Sequence, residues 1–249
     1  MRAELPAEVV ELVDAFGSPV TQIEFLYLLA NAKILDPVLV DAETAARMVR
    51  AYSWFLDRVG AEGIKLTSAG YLPPSEVEAA VAELGLADEW YGKFNREAQT
   101  LPLLDLRESA MRLGLLRRYR GMLLATPRGR ELRGDRVGLW WYLARQLPPA
   151  KAARHARHAG LLLLAAVAAG PAGTGTEPLA YVARMLGEAG WANSDGTPIT
   201  DWEARDAAAD TYIALVRTGA LTRDLPGSVP DQPTPDGAAF ARAALRTWP

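Results

Sequence analysis

The chain contains no cysteine, and its 249 residues include only two histidines, His155 and His158. The lack of thiols excludes disulfides, thiolate metal sites and cysteine nucleophiles. The two histidines are three positions apart, but no obvious third ligand accompanies them, so we predict neither a metal site nor a cofactor. A chain without disulfides suits a reducing compartment, and we expect the protein in the cytoplasm.

Long apolar segments are also missing. The longest one, 159–170, has about 12 residues, whereas a membrane-spanning helix needs roughly 20. We therefore predict a buried helix there and no membrane association. The first residues are interrupted by Pro6 and do not resemble a signal peptide.

Common catalytic motifs are absent as well. The sequence has no glycine-rich phosphate loop, no G-x-S-x-G nucleophile elbow and no H-E-x-x-H metal motif. Its carboxylates are scattered over predicted helix faces, without the paired acid and base of a hydrolytic site. We therefore expect a protein that is not an enzyme.

Positive charge is concentrated in the middle of the chain. The formal net charge is −3, yet the stretch from Asp105 to Arg157 holds thirteen Lys and Arg against four Asp and Glu. A basic middle between acidic flanks indicates an anionic partner. The alternative is that the basic stretch packs against the acidic flanks of the same chain, and the sequence leaves both interpretations open.

What the sequence does have is hydrophobic spacing typical of helices along most of its length. Half of the residues are hydrophobic, enough for a substantial core, and the abundance of Ala and Arg is typical of a bacterial genome rich in G and C. We predict a mainly α fold. In one of these helices, 21–31, the spacing directs four side chains toward the core: Ile23, Leu26, Tyr27 and Leu29.

A Thr-x-x-Gly step occurs at three predicted helix starts: Thr67–Gly70, Thr126–Gly129 and Thr234–Gly237. A Thr side chain at a helix N-cap accepts a backbone N–H, and proline suits the first helical position. Glycine in the first turn lets the helix approach the strand that precedes it. Before the second and third steps, a helix that ends in glycine is followed by two short strands joined by a turn.

The order of helix, β-hairpin and capped helix is how a winged helix ends. We therefore predict tandem winged-helix-like units with small β-hairpin wings. The predicted parts are an N-terminal helical segment at 1–60, a central basic unit at 61–147 and a C-terminal unit at 148–249. The second wing, near Arg223 and Asp224, is not basic, and we interpret it as structural.

Several ordered stretches in residues 45–247 resemble those of one family. They are Lys65–Pro74, Gly92–Glu97, Leu113–Gly121, Leu139–Ala144 and the leucine run at 161–164. They resemble the C-terminal helical region of plasmid-borne ORF-3-like proteins, a family of insertion-sequence passengers. The resemblance implies an association with mobile elements, but no catalytic residues, because the family's biochemical role is undefined. The β-rich module of its fuller members has no counterpart in this chain.

The first wing is the main candidate for function. At a hairpin tip, arginines contact phosphates or enter a minor groove, and a tyrosine is available to stack. Basic residues on either side of the tip extend the same surface. The candidate nucleic-acid-binding residues are Arg112, Arg117, Arg118, Tyr119, Arg120, Arg128 and Arg130.

The helix predicted before this wing, 101–113, is evidence against contact with DNA. It carries Asp105 and Glu108, which DNA phosphates would repel, and these carboxylates are spaced to pair with arginines of the same helix. A merely solvated basic hairpin therefore explains the pattern equally well. Two functions stay open: a non-enzymatic protein that contacts double-stranded DNA, or a protein–protein adaptor that binds another protein or a second copy of itself.

A polar loop before that helix is a second candidate. Its residues Lys93, Asn95 and Arg96 are placed to hold an anion at the N-terminus of the helix that follows. The alternative is a loop that its own side chains keep in order.

Overall fold

The computed structural model describes residues 2–88, 90, 93–222 and 231–247. Helices dominate these residues, so the prediction of a mainly α fold is confirmed. The α-helices are α1 (Ala7–Ala15), α2 (Pro19–Asn31), α3 (Ala42–Met48), α4 (Arg50–Val59), α5 (Pro74–Leu84), α6 (Leu101–Arg112), α7 (Pro127–Leu132), α8 (Arg136–Arg145), α9 (Arg154–Thr174), α10 (Pro178–Glu188), α11 (Asp201–Ala207), α12 (Ala209–Arg217) and α13 (Pro235–Thr247). The strands are β1 (Ile64–Lys65), β2 (Leu116–Tyr119) and β3 (Met122–Ala125).

The described residues divide into two compact units. One unit comprises Met1–Val40 with Trp141–Pro249, and the other is Asp41–Trp140. This division differs from the sequence-based division at 1–60, 61–147 and 148–249. The first of these units is assembled from two segments that are distant in sequence, which composition and linker patterns do not reveal.

The unit of Met1–Val40 and Trp141–Pro249 is built around α9. The apolar run of this helix is buried, as predicted, and α2, α10, α12 and α13 pack against it. Side-chain contacts also join the N-terminal helices to α10: Thr21 donates to Glu188 at 3.0 Å, and Arg184 pairs with Glu24 at 2.6 Å. These contacts explain why the first forty residues belong to this unit.

The exposed face of α2 corrects one prediction. Ile23 is 67% exposed and Tyr27 is 68% exposed, whereas Leu29 is buried and Leu26 is half-buried. The prediction that Ile23 and Tyr27 point inward is therefore wrong. Helical spacing allows two apolar stripes on this helix, and the buried one runs through Phe25 and Leu29. The helix also begins before residue 21, because Ser18 provides the N-cap.

The unit Asp41–Trp140 combines helices with a small sheet. The strand order is β1-β3-β2, and both pairings are antiparallel. Helices α4 and α6 pack together, and the hydroxyl groups of Tyr52 and Ser109 form a buried hydrogen bond of 2.7 Å between them. Leu123 of β3 is fully buried, so one face of the sheet belongs to this core.

The Thr-x-x-Gly step before α7 has the predicted structure. The Thr126 hydroxyl accepts a hydrogen bond from the Gly129 N–H at 3.0 Å and donates to the Gly114 carbonyl at 2.6 Å. The Thr126 N–H donates to the Leu115 carbonyl at 3.0 Å. A Cβ atom on Gly129 would lie 2.2 Å from that same carbonyl oxygen, so only glycine allows this close approach.

The step before α13 repeats this structure. The Thr234 hydroxyl accepts from the Gly237 N–H at 3.0 Å and donates to the Gly219 carbonyl at 2.9 Å. The Thr234 N–H donates to the Ala220 carbonyl at 3.1 Å. A Cβ atom on Gly237 would lie 2.0 Å from the Ala220 oxygen. The internal repeat is therefore confirmed in its hydrogen bonds at two of the three predicted places.

The third place, Thr67–Gly70, does not begin a helix, and that prediction is wrong. The Thr67 N–H donates to the Tyr71 carbonyl at 2.8 Å, and the Tyr71 N–H donates back to the Thr67 hydroxyl at 3.1 Å, which closes a tight turn. Helix α5 begins only at Pro74. Pro73 is extended, because the residue before a proline disfavours helical backbone.

The second predicted wing is described only at its base. Leu221 and Pro233 form an antiparallel bridge between α12 and α13. The tip predicted near Arg223 and Asp224 lies outside the described residues.

Candidate nucleic-acid interface

The first wing is a tight β-hairpin formed by β2 and β3. Tyr119 lies opposite Met122, and the connecting turn consists of Arg120 and Gly121. Both turn residues have positive φ, 48° and 74°, as the favoured two-residue hairpin turns require. Arg117, Arg118 and Arg120 are all exposed, so the structure brings these predicted residues together at one tip.

The two faces of the sheet have different surroundings. Directly opposed residues share a face, so Lys65, Met122 and Tyr119 form one row across the three strands. Arg117 shares this face because it lies two residues before Tyr119. The other face carries Ile64 and Leu123, which are buried. Lys65 is exposed and adds a cation that the sequence analysis missed.

Tyr119 lies between two guanidinium groups. Its ring centroid is 5.6 Å from Cζ of Arg117 and 5.1 Å from Cζ of Arg120. Both distances are within the range of a cation–π contact. The tyrosine is 49% exposed and both arginines are exposed, so all three side chains remain accessible to solvent.

Arg118 extends from the other face of β2 toward the turn at Thr67–Gly70. A Cβ atom on Gly70 would lie 3.3 Å from a terminal nitrogen of Arg118. The glycine, with φ 82°, thus leaves room for the guanidinium beside this turn. We call Lys65, Arg117, Arg118 and Arg120 the wing cations.

Most arginines around the wing are paired with carboxylates. Arg112 lies 3.5 Å from Glu108, Arg128 lies 2.7 Å from Glu131, and other pairs join Arg136 to Asp57 and Arg107 to Glu97. Arg130 instead donates to the Ala125 carbonyl at 2.9 Å.

The wing cations differ from these neighbours. Among the residues that the structure describes, none of the four has an ion pair with a carboxylate. The predicted set of seven therefore separates into a tip with uncompensated charge and three flanking arginines whose guanidinium groups are engaged. Part of the basic stretch is therefore paired within the chain, as in the ion pair between Arg136 and Asp57 of the acidic N-terminal flank. The wing cations remain available to an anionic partner.

Helix α6 precedes the wing and presents little positive charge. Its buried residues include Leu103, Leu106 and Ala110. The side chains that are exposed or half-buried are Leu101, Leu104, Asp105, Glu108, Met111 and Arg112. Two carboxylates against one arginine give this surface a net negative charge.

The predicted anion loop contains an anion of its own. Lys93, Asn95 and Arg96 are exposed, but the next residue, Glu97, is fully buried. Its carboxylate accepts from Nε of Arg107 at 2.5 Å and from the Leu72 N–H at 2.7 Å. Burial raises the pKa of Glu97, and the hydrogen bonds from Leu72 and Arg107 oppose that rise.

This buried ion pair anchors the loop to α6, and the sequence analysis did not predict it. One signal for it is present in the sequence. Arg107 lies four residues after Leu103 and three before Ala110, on the apolar stripe of its helix. A charged residue on such a stripe is rarely buried without a partner, so a carboxylate partner was to be expected.

The two histidines lie beside Trp191. Its indole N–H donates to Nδ1 of the buried His158 at 3.2 Å. Burial, followed by the charge of Arg154, lowers the pKa of His158. No group of three or more His, Asp or Glu that suits a metal occurs in the described part of the chain.

The described residues of the unit that contains α9 line at least two clefts. One of about 360 Å³ lies beside the exposed Trp202 and includes Glu177 and Asp201, and one of about 200 Å³ lies beside His155 and Asp206. Neither cleft contains the wing cations, so the charged tip is a separate surface feature.

Comparisons of the chain with protein-family models, with curated proteins and with solved structures found no match. In the described residues no single helix is both long and apolar enough to cross a membrane, although α9 and α10, bent by 107°, meet those criteria as a pair.

Proposed function

We propose that the chain is a non-enzymatic nucleic-acid-binding protein that contacts the phosphates of double-stranded DNA through its first wing. The observation that carries this proposal is the contrast in charge pairing. The wing cations have no carboxylate partner in the described residues, whereas Arg112, Arg128 and Arg136 do. Exposed cations without partners are available to neutralise phosphates, and phosphate contacts supply most of the affinity of such proteins for DNA.

The order of the elements supports a winged-helix assignment for this unit. Helix α4, strand β1, helices α5 and α6, and the β2–β3 hairpin follow one another along the chain. The first strand pairs with the last strand of the hairpin. Because the Thr234 step repeats the Thr126 step, we propose that the C-terminal part is a second winged-helix-like element.

The conformation of Arg120 also supports a role for the tip. Its φ of 48° places it in the left-handed region, where glycine and asparagine are favoured and other residues are uncommon. Unfavourable backbone conformations persist where the surrounding structure enforces them, and they cluster at functional sites. An arginine at this position is therefore better explained by contact with DNA than by hairpin stability.

The test compares the affinity of the protein and its variants for a labelled duplex at low salt. The wing variant is Arg117→Glu/Arg120→Glu, which leaves Arg118 beside the Gly70 turn. The matched control is Lys151→Glu/Arg246→Glu, which makes the same charge change at exposed positions of the other unit.

We expect the wing variant to bind at least roughly tenfold more weakly and the control to bind within about threefold of the wild type. Equal losses in both variants would mean that only net charge matters. Unchanged binding in the wing variant would contradict the proposal.

A second candidate function, contact with another protein or a second copy, is favoured by α2. Val20, Ile23 and Tyr27 form an exposed apolar stripe on this helix. The molar mass in solution, measured by light scattering with and without Ile23→Asp, tests self-association. A monomeric wild type would count against that form of the adaptor. The resemblance to ORF-3-like proteins adds a proposed association with mobile elements.

A further inference from the structure

Helix α6 occupies the position from which DNA-binding proteins of the helix-turn-helix type read the major groove. In those proteins the N-terminal residues of the second helix contact the base edges. Here the first two turns of α6 expose Leu101 and, in part, Leu104 and Asp105. A leucine side chain and an ionised carboxylate have no hydrogen to donate to an acceptor.

The major groove needs donors that α6 does not offer. Purine edges in that groove present acceptors, which arginine, lysine, asparagine and glutamine recognise. The exposed donor on α6 is Arg112, in the last turn, where Glu108 lies 3.5 Å away. Because phosphates line both edges of the groove, Asp105 and Glu108 would also be repelled from it.

The wing tip has the opposite chemistry. Arg120 occupies the turn itself, and Arg117 and Tyr119 precede it on one face of β2. The minor groove of B-DNA is about 6 Å wide, which admits an extended side chain but not a helix. Where A·T pairs narrow this groove further, its negative potential increases and attracts inserted arginines.

We propose that the wing places Arg120 in the minor groove and that α6 stays outside the major groove. The protein then prefers A·T-rich duplex through groove width and charge instead of reading a base sequence. This inference rests on the proposed function, and it adds which groove is contacted and which element is not used.

Duplexes that contain inosine separate the two grooves. An I·C pair presents the major-groove edge of G·C, but it lacks the guanine amino group and therefore resembles A·T in the minor groove. The experiment measures, at moderate salt, the affinity of the full chain for three labelled duplexes of equal length. They are built from A·T, I·C or G·C pairs.

We expect the A·T and I·C duplexes to bind about three- to tenfold more tightly than the G·C duplex. In the variant Arg120→Asn this preference is lost, whereas in Glu108→Gln, a change on α6, it persists. If I·C binds like G·C, or if Glu108→Gln changes the order of the duplexes, α6 reads the major groove and the inference is wrong.

Equal affinity for all three duplexes would mean that the wing contacts phosphates without entering a groove. That result would overturn the inference and leave the proposed function standing. Failure to bind any of the duplexes at low salt would overturn the proposed function itself.

Discussion

The guanidinium of Arg120 lies over the ring of Tyr119, with 5.1 Å between Cζ and the ring centroid. Arg120 reaches this position from a left-handed backbone conformation, and its partner residue in the turn is Gly121. The wing therefore holds a cation in its turn, in a backbone conformation that arginine does not favour. This relationship leads to a prediction in which stability and binding change in opposite directions.

Replacing Arg120 by Asn creates the Asn-Gly turn that two-residue hairpins favour. We expect Arg120→Asn to raise the free energy of unfolding by about 0.5 kcal/mol, since relief of the backbone strain exceeds the lost cation–π contact. The same variant should bind duplex DNA more weakly. Urea unfolding and fluorescence anisotropy on one preparation measure both quantities.

The control for this prediction is Arg117→Asn, which removes a cation from an extended strand position. It should weaken binding without any gain in stability. A loss of stability in Arg120→Asn would show that Arg120 holds the hairpin together, contrary to our interpretation.

The close packing of the two glycines in the repeated step leads to a prediction about the free energy of unfolding. A Cβ atom at Gly129 or Gly237 would collide with a backbone carbonyl, which cannot move away as a flexible side chain does. We expect Gly129→Ala and Gly237→Ala each to cost about 1–3 kcal/mol in the free energy of unfolding. Gly187→Ala is the control, because a Cβ atom there meets nothing within 4 Å and alanine is the better helix former in the last turn of α10. The prediction fails if all three variants unfold at the same denaturant concentration.

The buried pair of Glu97 and Arg107 predicts a non-additive double mutant. Arg107→Leu leaves the Glu97 carboxylate buried without its cation, at an expected cost of about 3–5 kcal/mol. Glu97→Gln/Arg107→Leu should be less destabilised than Arg107→Leu alone. In the double variant, the side-chain amide oxygen at position 97 still accepts the hydrogen bond from the Leu72 N–H, and no charged group is buried at this site. Chemical denaturation of the two variants checks this order, and equal or greater loss in the double variant would contradict it.

His158 predicts a dependence of stability on pH. Burial lowers the pKa of His158 below its ordinary value of 6.5, so the unfolded chain takes up a proton before the folded protein does. The contribution of His158 to stability is therefore complete above pH 6.5 and is lost as the pH falls toward the lowered pKa. Protonation also removes the acceptor for the Trp191 N–H.

The measurement compares the free energy of unfolding at about pH 7.5 and about pH 5. We expect the free energy of unfolding to decrease less on acidification in His158→Gln than in the wild type. His155→Gln is the control, because His155 is exposed. Identical decreases in the wild type and His158→Gln would show that His158 does not cause the effect.

Local chemistry made much of the fold predictable from the sequence. The helices before and after the wing, the glycine turns and the two Thr-capped steps all follow from residues close together in the chain. The step at Thr67 failed for an equally local reason, since Pro73 and Pro74 delay the next helix.

Contacts between distant residues were not predictable in the same way. Helical spacing identified the apolar residues of α2, but only packing on α9 decides that Phe25 is buried and Ile23 exposed. Lys65 joins the wing cations through the register of β1 on β3, and a strand this short carries no pattern that fixes its register. The sequence therefore indicated the arginines of the candidate site at the hairpin tip, but not Lys65 on the neighbouring strand.

The salt dependence of duplex binding tests the central claim most directly. The slope of log affinity against log salt is about −0.9 for each phosphate neutralised on B-DNA. We predict a slope of about −3 to −4 for the wild type, from four wing cations, and a slope shallower by roughly two units in Arg117→Glu/Arg120→Glu. Equal slopes in the two proteins, or no binding at low salt, would contradict the claim that this wing contacts DNA.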